Sequence, residues 1–571
     1  MKNIPKDIRL LPAFLGALAF IGASVSGSTP NILFIAVDDL RPELGCYGNT
    51  QIVSPNIDRL AASGTVFKEA YCQVPVCGAS RASLMTGLYP TRQRFLNYHT
   101  KADMEVRGIY DLPGWLQEHG YTTISNGKIY HQKDDFERSW AEISHPGTFR
   151  QYVLPENIAL PHKQQPPFEA ADVPDNAYPD GKTAEKVIRD LERAKAAGSP
   201  FFIAAGFSKP HLPFNAPTKY WDLYDRASLS LPDNYYVPEG APRQALHNWN
   251  ELRGQYGGVP QKGAVSDELA LHLIHGYYAS VSYADAMIGK ILDSLDRLGM
   301  SENTIVILWG DHGWQLGEHT LWCKHALFRT SLNAPLILRA PKYKSGQRSS
   351  ALVEFVDIYP TLCELAGIEA PDHLQGRSLV PVLKSPNAEF KQAIFSRYQS
   401  GEAVKTKNLS YAQWPGGAEM LYDHDNDLDE NVNRAKDSKY AATKARLSGL
   451  LGLHRQNISD ADTTYANSKT AQDMIEENKP PNWKTRSFSQ KPAKAGEAYS
   501  TYVNFRVTDL EGDGLVYAKV SGAQWLQLTN PSYGRFEGMP TAAEIGEHEF
   551  TVSVCDGINP PVEARMSVEV R

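Results

Sequence analysis

Three almost unbroken apolar runs organise the first part of the chain: Asn31–Val37, Phe201–Phe207 and Thr304–Trp309. None alternates between apolar and polar, the pattern of strands buried on both faces, as in a parallel sheet. Helical patterns lie between them. Thr183–Ala196 is rich in Ala, Lys and Glu, and a longer pattern occupies Asp267–Leu298, ending near Gly299. A further strand-to-helix passage starts at Phe355–Leu362. Strands alternating with helices predict an α/β fold around a mostly parallel sheet. Each apolar run is followed closely by polar residues: Asp38-Asp39, then Lys209-Pro210-His211, then Asp311-His312. Ligands bind at the carboxyl ends of the strands in such sheets, so the pattern alone gathers three distant polar clusters at one edge.

The pattern changes further along. Ile394–Leu453 reads as a small antiparallel sheet closed by a helix over Lys439–Leu453. A polar stretch with Pro480, Pro481 and Pro492 reads as a linker. Beyond it, short alternating segments such as Thr501–Val507 and His548–Val554 predict a small β-sandwich. Its Gly538-Met539-Pro540 and Asp556-Gly557 turns loosely resemble immunoglobulin/cadherin-like modules of bacteria. At the other end, Lys2, Lys6 and Arg9 precede an apolar run from Leu10 to about Ala23 and small residues up to Ser28. That run is short for a membrane span and contains Pro12, so it reads as a cleaved secretory signal. The expected organisation is a signal at 1–27, a catalytic α/β domain at 28–390, a small subdomain at 391–458, a linker at 459–493 and a β-sandwich at 494–571. The expected location is secreted or periplasmic, with no transmembrane domain.

Composition narrows the function. The 571 residues are 42% hydrophobic and 22% charged, with a net charge of −7 and no block of like charge. A nucleic-acid partner would need a basic face, so none is expected. An anionic substrate would have to be captured by a local cationic pocket. Six cysteines are too few for a disulfide framework in a chain of this length.

Taken singly, Asp38-Asp39 suits a turn or helix cap, and Cys77 suits a buried core position. Together with Asp311-His312, the carboxylates and one imidazole suit a hard divalent cation: Ca²⁺ from the number of carboxylates, ahead of Mg²⁺ or Mn²⁺. The spacing matches no common zinc motif.

The segment Cys77-Gly78-Ala79-Ser80-Arg81, followed by Leu84-Met85-Thr86-Gly87, resembles the signature of the type I sulfatases, a branch of the alkaline phosphatase superfamily. Gly127-Lys128-Ile129-Tyr130-His131, Lys209-Pro210-His211-Leu212-Pro213-Phe214, Asp311-His312-Gly313-Trp314 and Trp414-Pro415-Gly416-Gly417 extend the likeness. Within the branch, the likeness is to the iduronate-2-sulfatase-like enzymes, over about residues 29–455. It implies an alkaline-phosphatase-like sheet flanked by helices. It also implies that a formylglycine-generating maturation enzyme converts Cys77 to formylglycine, the nucleophile. The implied metal ligands are Asp38, Asp39, Asp311, His312 and matured Cys77. Arg81 would orient the formylglycine, and Lys128 and Lys324 would stabilise the sulfate. His131 would serve the gem-diol proton, and His211 would be the acid for the leaving alcohol. Lys128, His211, Lys324 and His319 would contact a sulfated glycan. The implied reaction is hydrolysis of a carbohydrate sulfate, with a 2-O-sulfated uronate or pentose among the candidates. A phosphate or phosphonate monoester hydrolase and an inactive glycan-binding homologue are the alternatives. Ala79 stands where proline is common, a departure that bacterial members share. The segments Phe95–Asp111, Phe214–Val259 and Cys323-Lys324-His325 diverge from the iduronate enzymes, so the sugar is not implied.

Overall fold

The first apolar run becomes the inner strand of an eight-stranded sheet. The structure is a computed structural model that describes residues 29–458, 479–508, 515–531, 534–556 and 559–571. The expected signal at 1–27 and residues 459–478 of the expected linker lie outside these. In chain order the strands are β1 (Asn31–Val37), β2 (Thr65–Tyr71), β3 (Thr122–Gly127), β4 (Glu142–Ser144), β5 (Phe201–Phe207), β6 (Thr304–Gly310), β7 (Leu336–Arg339) and β8 (Gln347–Glu354). Their order across the sheet is β8-β2-β7-β6-β1-β5-β3-β4. β1 pairs in parallel with β5 (Ile35 opposite Ala205) and with β6 (Ile35 opposite Leu308). β3 and β4 continue the parallel run beyond β5. Only β7 runs antiparallel to both its neighbours. The parallel β1, β3, β5 and β6 therefore end along one edge.

Helices cover the sheet. α1 (Cys77–Thr86) follows β2, and all ten of its residues are buried. α2 (Pro179–Ala197) starts at a proline and stops at Gly198, whose φ of 69° only glycine adopts without strain. α3 (Asp267–Arg297) is capped by the Ser266 side chain, with Asp267 and Glu268 at its positive end and Arg297 at its negative end. It buries Leu273, Tyr277, Val281 and Ile288 in the core shared with β1 and β5. No helix among the described residues is long and apolar enough to cross a membrane.

β3 is a strand the apolar pattern does not announce. Its sequence, Thr-Thr-Ile-Ser-Asn-Gly, is mostly polar, yet its middle four residues are buried. Its Asn126 donates through Nδ2 to Asp190 of α2, at 2.8 Å. β3 and β5 close on each other at two glycines: a Cβ on Gly206 would stand 2.2 Å from the Lys128 carbonyl oxygen, and one on Gly127 would stand 2.1 Å from that of Gly206. This approach, open only to glycine, brings Lys128 to the end of β5.

The C-terminal part holds separate antiparallel sheets. β9 (Ile394–Tyr398), β10 (Gly401–Lys405), β11 (Leu409–Gln413) and β12 (Glu419–Asp423) form a meander. α4 (Ala441–Asn457) closes it, with Leu447, Leu450 and Leu451 packed on Phe395, Val404, Tyr411 and Leu421. Beyond residue 479, a four-stranded and a three-stranded sheet enclose a core of Phe488, Trp525, Phe536, Phe550 and Val552, among others. This module rests on α4, where Ala442 meets Ala518 and Cys555.

Candidate active site

Cys77 is the first residue of α1, at the C-terminal edge of the sheet. Its Sγ lies 3.3 Å from His312 Nε2 and 3.7 Å from Asp39 Oδ1. Asp39 takes a left-handed backbone (φ 59°), which aspartate tolerates better than most residues. Its N–H donates to Asp311 Oδ1 at 2.9 Å, tying the end of β1 to the end of β6. One helical turn after Cys77, the fully buried Arg81 spends four donors on the same edge. Nε reaches Asp311 Oδ2 (2.9 Å) and Nη2 reaches Asp38 Oδ1 (3.1 Å), while Nη1 reaches the carbonyls of Lys128 (2.5 Å) and Ile129 (2.8 Å). The Cys77-to-Arg81 spacing thus joins α1 to three strand ends.

The donor set fits a divalent cation. Ligand atoms of Asp38, Asp39, Cys77 and His211 lie within 4.8 Å of one another, as do those of Cys77, Asp311 and His312. His312 Nδ1 faces the Gly313 carbonyl at 2.9 Å, so its proton belongs there and Nε2 presents a lone pair. That lone pair faces Asp39 Oδ1 at 3.3 Å and Asp311 Oδ1 at 3.7 Å. Three acceptors converge there, all fully buried, an arrangement that could hold a cation. Asp38, Asp39, Cys77, Asp311 and His312 thus come together from three separate segments.

The flanking cations set the charge state of these acids. Burial opposes ionisation of Asp38, but Lys128 and Arg81 outweigh it and hold the carboxylate well below its usual range. At Asp39, burial prevails over Lys324 and pushes the carboxyl up. Burial and Asp38 push the Cys77 thiol well above its ordinary value, so these side chains keep it protonated.

A cationic rim borders the acids. Lys128 Nζ bonds Asp38 Oδ2. Lys324 Nζ reaches Asp39 at 2.8 and 3.1 Å, and Glu251 Oε1 at 2.8 Å. His211 Nδ1 is 2.5 Å from the Leu212 carbonyl, while Nε2 is 3.0 Å from Glu251 Oε1 and 3.8 Å from Asp39 Oδ2. Both ring nitrogens face acceptors, so both are placed to donate. His131 differs: its buried Nδ1 has no hydrogen-bond partner among the described residues. Burial, reinforced by Lys128, pulls its pKa down to about 2, which keeps the ring neutral. The loop carrying His211 is held from behind. Asp180 of α2 accepts from the N–H groups of Ser208 (2.9 Å) and Lys209 (2.8 Å). Lys209 turns its ammonium back onto the carbonyls of His211 (2.8 Å) and Pro213 (2.5 Å), so it staples the loop.

His319 does not join this cluster. Gly317 (φ 115°) and His319 (φ 57°) turn the chain away after β6, and the ring packs on Phe328 at 4.4 Å, with Nε2 on the Asp429 carbonyl at 2.8 Å. It is buried there and offers no face to a substrate. Glu251, by contrast, lies in the site although no motif marks it. It sits on a four-residue helix, Asn250–Arg253, inside a segment that reads as loop. Lys324 and His211 overcome its burial and hold its carboxylate well below the usual range.

Asp111 supports the site from beneath. It caps the helix Leu112–Glu118 through the Gly114 N–H (3.1 Å), and accepts from Ser139 (2.5 Å) and from Tyr130 (2.8 Å), the neighbour of His131. Burial outweighs these three donors and pushes its carboxyl up to about 7. The folded chain therefore keeps a proton that the unfolded chain, with a carboxyl near about 3.9, has lost. The stability this group supplies is complete below about pH 4 and declines as the pH climbs to about 7. In Asp111→Asn, the difference in urea midpoint between pH 5 and pH 8 should shrink relative to the parent. An unchanged difference would assign the pH dependence to other groups.

Comparison with known proteins gives the family and the fold. The family model described as Sulfatase matches residues 30–368, and that of N-sulphoglucosamine sulphohydrolase, C-terminal, matches residues 317–457. Iduronate 2-sulfatase of Mus musculus is 34% identical over 386 residues, covering 60% of this chain and 69% of the mouse protein. A structure solved in complex with its substrate D-glucosamine-2-N,6-O-disulfate superposes with a TM-score of 0.64 at 23% identity, over 76% of this chain and 99% of that one. A phosphonate monoester hydrolase from Silicibacter pomeroyi gives the same TM-score and identity, over 76% of this chain and 97% of its own.

Proposed function

Since the chain belongs to the sulfatase family and is a sulfuric ester hydrolase, we propose that it cleaves sulfate esters of a carbohydrate with a formylglycine made from Cys77. The observation that carries this reading is Cys77 itself: a buried thiol among three carboxylates, kept protonated and therefore a weak nucleophile as it stands. Its place at the centre of the acid and cation cluster suits the hydrated aldehyde that a maturation enzyme makes from it. The relatives act on sugars by their names: an iduronate sulfate for the mouse enzyme, a disulfated glucosamine for the solved neighbour. The N-terminal basic-then-apolar pattern supports export, to the periplasm or beyond.

Asp38, Asp39, Asp311, His312 and matured residue 77 would hold the cation, Ca²⁺ by its carboxylate-rich donor set. Bound there, it would draw charge from the sulfate oxygens. The chain's own residues do the rest. Arg81 fixes the acids and the turn of α1 behind the nucleophile. The oxygen of one gem-diol hydroxyl attacks sulfur as its proton passes to the Asp39 carboxylate that faces residue 77, while Lys128 and Lys324 stabilise the charge spread over the sulfate oxygens. The S–O bond to the sugar breaks, and His211 gives its proton to the departing oxygen. A sugar alkoxide leaves poorly, so this proton matters. His131 then accepts the proton of the remaining hydroxyl, the aldehyde reforms, and sulfate departs. This is covalent catalysis that splits one displacement into two easier steps.

Peptide mass spectrometry tests the nucleophile. The Cys77 peptide should be lighter than its cysteine form by about 18 Da, a change distinct from the usual thiol oxidations, when the chain is made in a host with the maturation system. Unmodified thiol on active enzyme would overturn the reading. The phosphonate-hydrolase neighbour supplies the second arm: kcat/KM on paired sulfate, phosphate and phosphonate esters. A preference for a phosphorus ester would replace the sulfatase reading.

A further inference from the structure

The site contains a carboxylate that an anion-binding pocket would not ordinarily tolerate. Glu251 Oε1 stands 3.0 Å from His211 Nε2 and 2.8 Å from Lys324 Nζ, at the side where the substrate's negative charge must come to rest. An acid there repels an incoming sulfate unless it is kept for what it holds. The chain holds it stiffly. Arg253, two residues on, lies over the Trp249 ring at 3.2 Å and bonds the carbonyls of Gln261 (3.1 Å) and Gly263 (2.8 Å), while Leu252 is buried. Glu251 Oε2 has no hydrogen-bond donor among the described residues; His325 Nδ1 is 3.9 Å away. The carboxylate is therefore engaged through one oxygen, and that oxygen bridges two groups, one facing the departing alcohol and one facing the sulfate.

We propose that Glu251 is the positioning residue for protonation of the leaving group. Its Oε1 clamps His211 Nε2 and Lys324 Nζ together, so that the Nε2 proton and the Lys324 ammonium meet the ester oxygen and the sulfate in one fixed geometry. Without it, the His211 ring is held by the single Nδ1 bond to Leu212 and by the edge-on Phe149 ring at 4.9 Å. The acceptor left near Nε2 is then Asp39 Oδ2, at 3.8 Å, beyond hydrogen-bond distance and too far to aim it. When the ester binds, the Nε2–H bond passes from Oε1 to the ester oxygen, while Lys324 stays on Oε1 and keeps the carboxylate paired. As the S–O bond breaks, its electron pair stays on the sugar oxygen, which takes the Nε2 proton. His211 is left neutral, with Nδ1–H still on Leu212. This inference rests on the sulfatase reading above and adds a residue to it.

Leaving-group dependence tests it. An aryl sulfate such as 4-nitrophenyl sulfate expels a phenolate that needs no proton, whereas a sugar sulfate expels an alkoxide that does. The probes are 4-nitrophenyl sulfate and the monosaccharide sulfate that the matured wild-type enzyme turns over fastest in a panel. In Glu251→Gln, kcat on the sugar sulfate should fall about 30- to 300-fold, at or just below the lower end of what general-acid catalysis itself supplies. The loss on the aryl sulfate should be at least about tenfold smaller, with KM changed little on either. The double variant Glu251→Gln/His211→Ala should lose no more than His211→Ala alone, because the two act as one unit. Glu251→Asp, which keeps the charge and shortens the reach, should show the same sugar-selective loss, and it serves if the glutamine variant fails to fold. Equal losses on both substrates, a loss confined to KM, or additive losses in the double variant would overturn the proposal while leaving the sulfatase reading intact. Absence of turnover of both esters by the matured wild type would overturn that reading and the proposal with it.

Discussion

Cys77→Ala should reduce turnover of a sugar sulfate by about 10⁶-fold in kcat, the scale seen when a covalent nucleophile is deleted, while thermal unfolding moves little. The asymmetry follows from where the residue sits. Cys77 opens a helix that needs nothing from its side chain for a cap, since Val76 precedes it with no side-chain hydrogen bond. Among the described residues, the sulfur's hydrogen-bond contacts are with His312 and Asp39, and alanine keeps the helical backbone that aims Arg81 at the strand ends. A stability cost of about 1 kcal/mol is expected, ordinary for a small buried substitution. Single-turnover assays with a sugar sulfate, run beside a urea melt, would check both halves. Retained activity would remove Cys77 from the chemistry, and a collapsed melt would make it structural.

Arg81→Met should do the opposite: destabilise the folded chain by about 3–5 kcal/mol, the usual cost of breaking a buried charge pair from one side. Arg81 is fully buried, with Asp38, Asp311 and two main-chain carbonyls as its partners. Methionine fills much of the same volume, so the loss is electrostatic and not a cavity. Two carboxylates would be left with fewer cations, and the carbonyls of Lys128 and Ile129 would lose their donor. Set against the total stability of about 5–15 kcal/mol typical of a folded domain, that is a large fraction, and the urea midpoint should drop accordingly. A midpoint equal to that of the parent would mean that these bonds do not hold the sheet edge together. Activity should fall as well, since the same bonds set the positions of Asp38, Asp311 and Lys128.

These two residues show what was legible in the sequence. β1, β5 and β6 announce themselves because strands buried on both faces are apolar throughout, and their ends deliver Asp38, Asp39, His211, Asp311 and His312. β3 is silent by the same logic: its buried Asn126 donates to a partner, Asp190, 64 positions away, which no local pattern reveals. Lys128 and His131 are therefore readable only through the motif that follows that strand. His319 follows Asp311 in one continuous motif, and proximity in sequence suggests proximity in space. Two left-handed residues break that link and send the ring under Phe328. Glu251 is the reverse case: an unremarkable acid in a divergent loop, carried to the site by a contact 73 positions from Lys324. Lys209 shows that a conspicuous cation in a motif can be spent on holding its own loop.

The burial of α1 has a consequence for the order of events in the life of the chain. Cys77 is 2% exposed, and every residue of its helix is enclosed by the sheet, by the loop at Asn97–Tyr98 and by the segment around Phe355. Another protein that must grasp this stretch to alter residue 77 has nothing to hold once the sheet has closed. The closure itself waits on the C-terminal half, because Lys324 meets Asp39 across 285 positions of chain. On the proposed maturation of Cys77, the interval between its emergence and the arrival of Lys324 would be the window for modification, and the depth that protects the finished site would also make its preparation a matter of timing.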